Sequence, residues 1–524
     1  MTVKRVVSVF FCLVFSLALL MLRLYVLSAG TAQSAQAGGT LTVEAARSRG
    51  FLYDRSGLPF VNETSVRTVV AAPTPSAPQL LQGVTRQRDF SAALSRWSRG
   101  LPAVVPVTGE VSGAGLFTAM QPVRYAERFL IPHLAGYCDA AGHGVCGLEK
   151  SYDDLLSERV CRVTFDVDAA GRVLCGGETR VTDEGVASPR GVELTLDKRL
   201  QAAVREGLLQ SDVRKGSAVL LDAENGEILA LCSVPEYDPS DVGARLDDPD
   251  APFVDRALQS VSVGSVYKII VAAALLEHGV GEGFTYVCTG ETVQNDVTFH
   301  CHLRTGHGAL TMPDALYHSC NTWFIHAAKQ IPVSEILDLS WKLGLGTAVT
   351  LAPELSCSAG IVPDEAELAT DAARANLAFG QGRLTAAPVQ IAAATAACVN
   401  GGVYYEPRLV RALIGDDGAR SETAPSQGTR VLRRSTSEAL REMLVYAASE
   451  TKRLTFKDCG GKTATAQTGV YRGGEEQLGT WYSGFFPAQE PRYVLTVFCE
   501  DGTSGAADCI PVFESIALKI RKKP

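Results

Sequence analysis

The chain has 524 residues, of which 46% are hydrophobic and 20% are charged, and its formal net charge is −8. This length permits two to four domains, and the composition is ordinary for a folded globular protein. The negative charge argues against nucleic acid as the main partner, because binding phosphates requires a concentrated positive surface. The fourteen cysteines are too dilute for a small disulfide scaffold, and the lack of a CxxC pair removes support for a zinc ribbon.

An apolar run near the N-terminus predicts a single membrane anchor. Two basic residues precede the run, and Arg23 interrupts it near its end. We predict a cytoplasmic tail over 1–5 and a retained anchor over 6–27, since basic residues on a short flank favour the cytoplasmic side. A cleaved signal peptide is the alternative, because Ala35-Gln36-Ala37 resembles a cleavage site. In both cases the chain after about residue 40 is expected outside the cytoplasmic membrane.

Thirteen cysteines would then lie outside the membrane, and this odd number requires at least one free thiol or a pair with another chain. Cys288 and Cys301 flank a turn-rich segment, as do Cys499 and Cys509, so both pairs are candidate local bridges. Spacing alone does not establish a bridge, and buried free thiols are the alternative. A catalytic cysteine is less favoured, because no cysteine has a recognisable base beside it.

Two further segments precede the region that carries the chemistry. Residues 28–48 are small and polar, and we interpret them as a linker. Residues 49–190 mix short apolar runs with proline, glycine and charge, without long helical periodicity. This pattern predicts an extended, β-rich domain, followed by a separate domain over 191–524.

The second domain begins with an amphipathic pattern. Leu200, Val204 and Leu208 recur at helical spacing, and Asp197 is a plausible N-cap. Asn225-Gly226 between two apolar runs then predicts a β-hairpin. Roughly 265–450 is rich in alanine and leucine and should be mostly helical. The C-terminal end returns to three strands and a last helix, over Lys462–Thr468, Thr480–Phe486, Tyr493–Cys499 and Val512–Ile520. Strands from both ends predict an α+β fold with one antiparallel sheet flanked by helices.

The first candidate for chemistry is Ser265-Val266-Tyr267-Lys268, which opens an apolar helix. Residues three apart share a helix face, so Lys268 can reach the hydroxyl of Ser265. A lysine with a depressed pKa can activate a serine nucleophile, and a helix start supplies backbone N–H groups for an oxyanion. The pattern alone is weak, because Ser449 and Lys452 repeat it. A helix cap followed by a solvated lysine is the commoner meaning of either occurrence.

Two more clusters follow in order. Ser319-Cys320-Asn321 lies 54 residues after Ser265, and Lys462-Thr463-Ala464-Thr465 begins 143 residues after Ser319. A serine and an asparagine two apart are usually turn residues, and a lysine on an edge strand usually discourages aggregation. The functional alternative is a proton-relay hydroxyl, a substrate-holding amide and an edge strand that binds an extended peptide. Order and spacing favour the functional alternative, because nothing comparable follows Ser449.

These three clusters resemble the SxxK, SDN and KTG set of penicillin-binding proteins and serine β-lactamases. Other segments are similar to boxes of class B penicillin-binding proteins, the monofunctional transpeptidases. These segments are Arg49–Gly57, Gly144–Lys150, Gly191–Gln201, Asp222–Pro239 and Phe379–Gly382. The resemblance covers about residues 1–520 and implies the penicillin-binding-protein transpeptidase fold, with 49–190 as a dimerisation or pedestal domain. It also implies a single-pass membrane protein with its catalytic domain outside the cytoplasm.

The resemblance implies a role for each cluster. Ser265 would be the nucleophile toward D-Ala-D-Ala stem peptides and β-lactams, with Lys268 as general base. Ser319 would relay a proton, and Asn321 would orient the substrate amide. Lys462 would help to keep Lys268 neutral and, with Thr463 and Thr465, would receive the substrate carboxylate; Ser265 and Thr465 would supply the oxyanion-hole amides. Neither a metal nor an organic cofactor is expected, and a membrane-embedded lipid-II polymerase with its wall-synthesis complex is the expected protein partner.

Two departures from the family pattern bear on activity. Ala464 replaces the usual glycine of the third motif, and its methyl group is expected to narrow the site; Val263 replaces a proline. The alternatives to an active transpeptidase are a D,D-carboxypeptidase or β-lactamase-like hydrolase, and a catalytically impaired penicillin-binding scaffold. The pedestal boxes argue against the hydrolases, and the intact polar residues of the three clusters argue against the scaffold.

Overall fold

The structure is a computed structural model that describes residues 3–36, 38–174, 177–281 and 283–522. It divides the chain into two compact units that are interleaved in sequence. The first unit comprises Met1–Arg49, Asn62–Ala126 and Glu158–Ser188, and the second comprises Gly50–Val61, Glu127–Ser157 and Pro189–Pro524. Two segments that precede residue 190 therefore belong to the second unit, and the domain boundaries at 49–190 and 191–524 stay a prediction.

The described residues form fifteen α-helices. They are α1 (Val3–Gln36), α2 (Ala77–Leu81), α3 (Gln87–Trp97), α4 (Pro132–Ala135), α5 (Gly147–Ser151), α6 (Asp153–Leu156), α7 (Lys198–Leu209), α8 (Lys268–Glu277), α9 (Met312–Tyr317), α10 (Asn321–Ala328), α11 (Val333–Lys342), α12 (Asp371–Ala378), α13 (Pro388–Val399), α14 (Arg434–Glu450) and α15 (Gly505–Lys522). Two short 3₁₀ turns lie at Val242–Arg245 and Gly264–Tyr267.

The same residues form 25 strands. They are β1 (Thr40–Ser48), β2 (Phe51–Tyr53), β3 (Thr64–Ala71), β4 (Ala103–Pro106), β5 (Leu116–Val123), β6 (Arg159–Asp166), β7 (Thr179–Asp183), β8 (Gly191–Leu194), β9 (Gly216–Asp222), β10 (Ile228–Val234), β11 (Val261–Ser262), β12 (Tyr286–Cys288), β13 (Glu291–Gln294), β14 (Val297–His300), β15 (Gly308–Leu310), β16 (Thr350–Ala352), β17 (Leu355–Ser356), β18 (Thr385–Ala386), β19 (Val403–Tyr404), β20 (Val410–Ile414), β21 (Arg420–Glu422), β22 (Thr429–Arg430), β23 (Gly460–Arg472), β24 (Glu475–Phe486) and β25 (Tyr493–Cys499).

The N-terminal helix α1 includes one apolar span. Val7–Val26 has a mean hydropathy of 2.4 and is long enough to cross a membrane. Within the predicted linker over 28–48, α1 extends to Gln36 and β1 begins at Thr40, and the linker itself stays a prediction. The sequence of β1 has an alternating start and two buried alanines, and it pairs along its length with β6. Its small residues therefore reflect a packed strand rather than a flexible segment.

The first unit is β-rich, as predicted. It contains two antiparallel three-stranded sheets, with strand orders β1-β6-β7 and β4-β3-β5. Alternate residues of β3 pack into two different apolar clusters of this unit. Val69 and Ala71 lie in one cluster, and Val70 lies in the other. The eleven-residue helix α3 was not predicted. Its composition is polar, and Ala93 is the one residue of α3 that is buried.

The second unit is built on the predicted antiparallel sheet. Its order is β10-β9-β25-β24-β23, so strands from both ends of the unit lie side by side and β23 forms an edge. The hairpin of β9 and β10 and the helix α7 are confirmed, and Asp197 caps α7 by accepting hydrogen bonds from two backbone N–H groups. Helices α7 and α15 pack on one face of the sheet. On the other face, α13 lies against β9 and β25.

The region predicted as mostly helical contains α8 to α14, but short two-stranded ribbons interrupt it. The ribbons nearest the site are β12·β15 and β13·β14. They were missed because each strand has three or four residues, which is too short for a periodic signal. Helix α8 is apolar on all sides and largely buried, so the residues at its start are held by the core.

Candidate active site

The serine of the first motif lies in a tight turn. Ser265 occupies the 3₁₀ turn that leads directly into α8. Gly264 precedes it with a φ of +63°, and its backbone N–H donates a 2.8 Å hydrogen bond to the carbonyl of Gly380. A positive φ favours glycine, so this residue lets the chain turn sharply before the serine. Burial of α8 on all sides then fixes the direction of the turn.

Lys268 is fully buried at the first position of α8. Its Nζ atom donates to the carbonyl oxygen of Ser319 at 2.7 Å and to Oδ1 of Asn321 at 2.8 Å. A third, longer contact of 3.2 Å reaches Oγ of Ser319. Burial lowers the pKa of Lys268 to about 7, because desolvation disfavours the charged form. The side chain therefore joins the first and second motifs and can exist as a neutral amine near neutral pH.

The second motif forms the turn between α9 and α10. Ser319 has a φ of +50°, which is uncommon for a residue other than glycine and costs about 1–3 kcal/mol. Asn321 begins α10, and its Nδ2 donates to the carbonyl of His300 at 3.0 Å. This second hydrogen bond orients the amide, so that Oδ1 faces Lys268. A strained turn that is held from both sides presents two polar side chains in fixed positions.

The third motif lies on the edge strand β23. Lys462 is 3% exposed, and its Nζ donates to the carbonyl of Thr463 at 2.9 Å. Burial, together with the nearby positive charge of Lys268, holds the pKa of Lys462 well below its usual value. Thr463 and Thr465 have the opposite strand parity and are more exposed, as predicted for alternating side chains.

The three motifs meet at one cavity of about 490 Å³. It is lined by Ser265, Ser319, Asn321, Thr463, Ala464 and Thr465, together with residues that carry no sequence motif. Among the described residues, Lys268 hydrogen-bonds to the second motif and not to the hydroxyl of Ser265. Lys268 and Lys462 lie behind the cavity wall, where they are shielded from water.

Sequence reasoning missed several residues of the cavity wall. His302, Tyr317 and His318 contribute side chains, and Gly505 is at the start of α15. A side chain at residue 505 would place its Cβ 2.6 Å from the carbonyl oxygen of Ala464, so the glycine allows α15 to approach β23 closely. Ala464 is 3% exposed, so most of its methyl group is packed rather than projecting into the cavity. Tyr317 and His318 directly precede Ser319 and could have been found by that adjacency, whereas no local spacing links His302 or Gly505 to the motifs.

Gly380 supports the nucleophile turn from behind. It has a φ of +79°, and a Cβ at this position would lie 2.0 Å from the carbonyl oxygen of Gly264. We expect Gly380→Ala to displace Ser265 and to lower the rate of acylation by penicillin by at least about 100-fold, since misplacement by about 1 Å can have such an effect. The measurement is the second-order acylation rate by stopped-flow fluorescence.

Gly382→Ala is the matched control for this prediction. Gly382 also has a positive φ, of +86°, but its added Cβ would meet Asn376 at an ordinary 3.5 Å. The control carries the backbone strain without the collision, so its acylation rate should stay within about threefold of the unmodified chain. Equal rates for the two variants would show that the contact between residues 380 and 264 does not position the serine.

These three motifs around one cavity, with the third on the edge strand of a helix-covered antiparallel sheet, define the class of penicillin-binding proteins and serine β-lactamases. The family model described as "Penicillin binding protein transpeptidase domain" matches residues 216–518, which is more than half of the chain. The chain therefore belongs to the penicillin-binding protein transpeptidase family.

Two curated relatives show the extent of the similarity. The penicillin-binding protein PbpB of Mycobacterium tuberculosis is 30% identical over 425 residues, which are 75% of this chain and 61% of that protein. The peptidoglycan D,D-transpeptidase MrdA of Acinetobacter baumannii is 28% identical over 421 residues, covering 73% and 61% of the two chains. The match thus spans about three fifths of the length of these relatives.

A solved structure shows the fold beyond the matched domain. A chain of a peptidoglycan synthase complex, described as coordinating polymerization and crosslinking, is 24% identical to this chain with a TM-score of 0.69. The alignment covers 100% of this chain and 99% of that chain. The predicted fold class is therefore confirmed, including a β-rich region before the transpeptidase domain.

Proposed function

We propose that the chain is a peptidoglycan D,D-transpeptidase. It would cross-link stem peptides through an acyl-enzyme on Ser265, and β-lactams would acylate the same residue. One observation carries this proposal: the three motifs line one cavity, and two buried lysines with lowered pKa values lie behind it. Membership of the transpeptidase family supports the same reaction.

In the acylation step, Oγ of Ser265 attacks the carbonyl carbon of the penultimate D-alanine, and its proton passes to Nζ of Lys268. Backbone N–H groups of Ser265 and Thr465 receive the negative charge on the carbonyl oxygen. The C–N bond then breaks, and the departing amine of the terminal D-alanine takes its proton through Oγ of Ser319. The contact of Lys268 with that hydroxyl provides the path for the proton.

In the second step, the acyl group passes to an amine. The amine of a neighbouring stem peptide attacks the ester carbonyl, and Ser265 recovers its proton as the ester bond breaks. The edge position of β23 supports binding of the donor peptide as an added strand. Lys462, Thr463 and Thr465 would receive the terminal carboxylate. Asn321 would hold the substrate amide.

The test is a reaction of the full-length chain in detergent with a stem peptide that ends in D-Ala-D-Ala and with an acceptor peptide that carries a free amine. A transpeptidase should release D-alanine and form the joined peptide, whereas a D,D-carboxypeptidase would release D-alanine without forming it. An impaired scaffold would do neither. Rapid hydrolysis of bound penicillin would instead favour a β-lactamase-like hydrolase.

The pKa of Lys268 gives a pH prediction. Acylation needs the neutral amine, and burial lowers the pKa of Lys268 to about 7. The acylation rate should therefore rise as pH increases through about 7 and then level off, falling about tenfold per pH unit well below it. Stopped-flow acylation between pH 5.5 and 8.5 measures this profile, and a flat profile would contradict Lys268 as the base.

The N-terminal helix supports a proposal for the cellular location of the chain. We infer that α1 anchors the chain in the cell membrane, with residues 1–5 in the cytoplasm and the catalytic domain outside it. The apolar span Val7–Val26 and the two basic residues before it support this orientation. A membrane-embedded lipid-II polymerase of the wall-synthesis complex is the proposed partner, and the similar chain in a synthase complex supports it. Residues 49–190 would be the pedestal domain.

A further inference from the structure

A cluster of metal-ligand side chains lies beside the second motif. Cys288, Cys301, His307 and Cys320 each offer one ligand atom, and these four atoms all lie within 4.8 Å of one another. Cys320 is the middle residue of the motif, between Ser319 and Asn321. The spacing of 13, 6 and 13 residues matches no short cysteine motif, which explains why sequence analysis missed the cluster.

The distances within the cluster fit a tetrahedral zinc ion. Bond lengths of about 2.3 Å for Zn–S and 2.0–2.1 Å for Zn–N place neighbouring ligand atoms about 3.5–3.8 Å apart. In the structure, Sγ of Cys301 lies 3.5 Å from Sγ of Cys320 and 3.7 Å from Nδ1 of His307. Sγ of Cys288 lies 3.4 Å from the same nitrogen. These three separations are close to those that a central zinc ion would impose, and the other three are at most 4.8 Å.

The cysteines do not form the predicted local bridges. The thiols of both candidate pairs are free, at residues 288, 301, 499 and 509. The side chains of Cys288, Cys301 and Cys320 are at most 2% exposed. Three buried sulfur atoms that converge on one imidazole nitrogen cannot all be explained by a single disulfide.

Backbone groups around the cluster are arranged as in metal–thiolate sites. The N–H of Asn321 donates to Sγ of Cys301 at 3.2 Å, and the N–H of Trp323 donates to Sγ of Cys320 at 3.5 Å. Such hydrogen bonds orient thiolate ligands and stabilise their charge. Nε2 of His307 is buried without a hydrogen-bond partner among the described residues. With Nδ1 bound to a metal, Nε2 would carry the ring proton, and this N–H lacks the outer acceptor that a ligating histidine usually has.

The segment that carries three of the four ligands has little apolar core of its own. In residues 286–310, Phe299 and Leu310 are the buried apolar side chains apart from the cysteines. Four large apolar side chains are exposed to water, namely Val287, Val293, Val297 and Leu303. Two ribbons with three- and four-residue strands are marginal without further support, and small segments of this kind are commonly stabilised by a metal.

We propose that Cys288, Cys301, His307 and Cys320 bind one structural Zn²⁺ ion, which holds the Ser319–Asn321 turn in place beside Lys268. Three thiolates and one imidazole form a closed, soft ligand set that selects zinc over magnesium or calcium. The ion would act on the reaction only through the position of Ser319 and Asn321. The test of this proposal does not depend on the proposed function, because the metal content of the chain is measured without an assay of catalysis.

The first test uses the purified full-length chain and requires no variant. Mass spectrometry of the metal content should give about one zinc per chain. Replacement by Co²⁺ should produce the visible bands of tetrahedral cobalt together with thiolate-to-cobalt charge transfer. The proposal would be overturned if the chain holds no zinc after purification from medium that contains zinc. It would also be overturned by a disulfide among residues 288, 301 and 320 in a chain isolated under reducing conditions.

The second test compares cysteine variants. Cys301→Ser should lower the zinc content by about tenfold or more and should lower the rate of acylation by penicillin by about 10- to 100-fold. Cys398→Ser is the matched control, because Cys398 is also buried but lies in α13, outside the cluster. Full zinc content in Cys301→Ser, or the same loss of zinc in Cys398→Ser, would overturn the assignment of the ligands. If Cys301→Ser does not fold, the metal and cobalt measurements on the unmodified chain still decide the proposal.

Discussion

Ser265→Ala is expected to abolish covalent labelling of the chain by a fluorescent penicillin. The hydroxyl at residue 265 lines the cavity and precedes a helix that burial holds in place. Without Oγ at residue 265 no ester can form at this position. Labelling on a denaturing gel should fall below about 1% of the unmodified chain, because the acyl-enzyme is the only labelled species.

Ser449→Ala is the control for this variant. Ser449 also begins a Ser-x-x-Lys pattern, but it lies near the end of α14, and its hydroxyl donates to the carbonyl of Tyr446. Labelling of this variant should equal that of the unmodified chain. Persistent labelling of Ser265→Ala, or a loss of labelling in Ser449→Ala, would mean that the nucleophile is assigned to the wrong serine.

Lys268→Met is expected to lower the acylation rate by about 10²–10⁴-fold, which is the usual contribution of a general base. Methionine has a similar volume and fits an apolar site, so the variant removes the amine without opening a cavity. The carbonyl of Ser319 and Oδ1 of Asn321 would each lose a hydrogen-bond donor. Stopped-flow acylation with penicillin above pH 8, where the amine is neutral, measures the full effect.

The stability of Lys268→Met separates chemistry from folding. Removing a buried amine relieves its desolvation, while two acceptors lose their donor at a cost of about 1–3 kcal/mol each. These effects oppose each other, so the free energy of unfolding should change by less than about 3 kcal/mol. Lys452→Met, at an exposed lysine of the second Ser-x-x-Lys pattern, should change neither quantity. An acylation rate within threefold of the unmodified chain would rule out Lys268 as the base.

Local patterns in the sequence predicted much of the second unit. The Asn225-Gly226 turn, the Asp197 cap and the period-two strands near the C-terminus act over a few residues, and each is present in the structure. The single antiparallel sheet built from strands of both ends of the unit was also predicted, and the structure contains it. These features depend on backbone geometry and on apolar periodicity, which a single sequence records directly.

Features that depend on distant contacts were not predictable from the sequence. Gly380 lies more than 100 residues from Gly264, yet the two backbones touch behind the nucleophile turn. The cysteines at 288 and 301 were interpreted as a possible disulfide pair, because spacing does not show that His307 and Cys320 join them. The strand β1 within the predicted linker over 28–48 was not expected either, since small residues fit both a flexible segment and a tightly packed strand.

Site mapping of the acyl-enzyme tests the central claim most directly. The full-length chain would be mixed with a stem peptide ending in D-Ala-D-Ala, quenched in acid after a few seconds, digested with trypsin and sequenced by tandem mass spectrometry. The account predicts one acyl group, lighter than the donor by one D-alanine, on Ser265 within the tryptic peptide 257–268. Acylation of another residue, or release of D-alanine at an undiminished rate by Ser265→Ala, would contradict it.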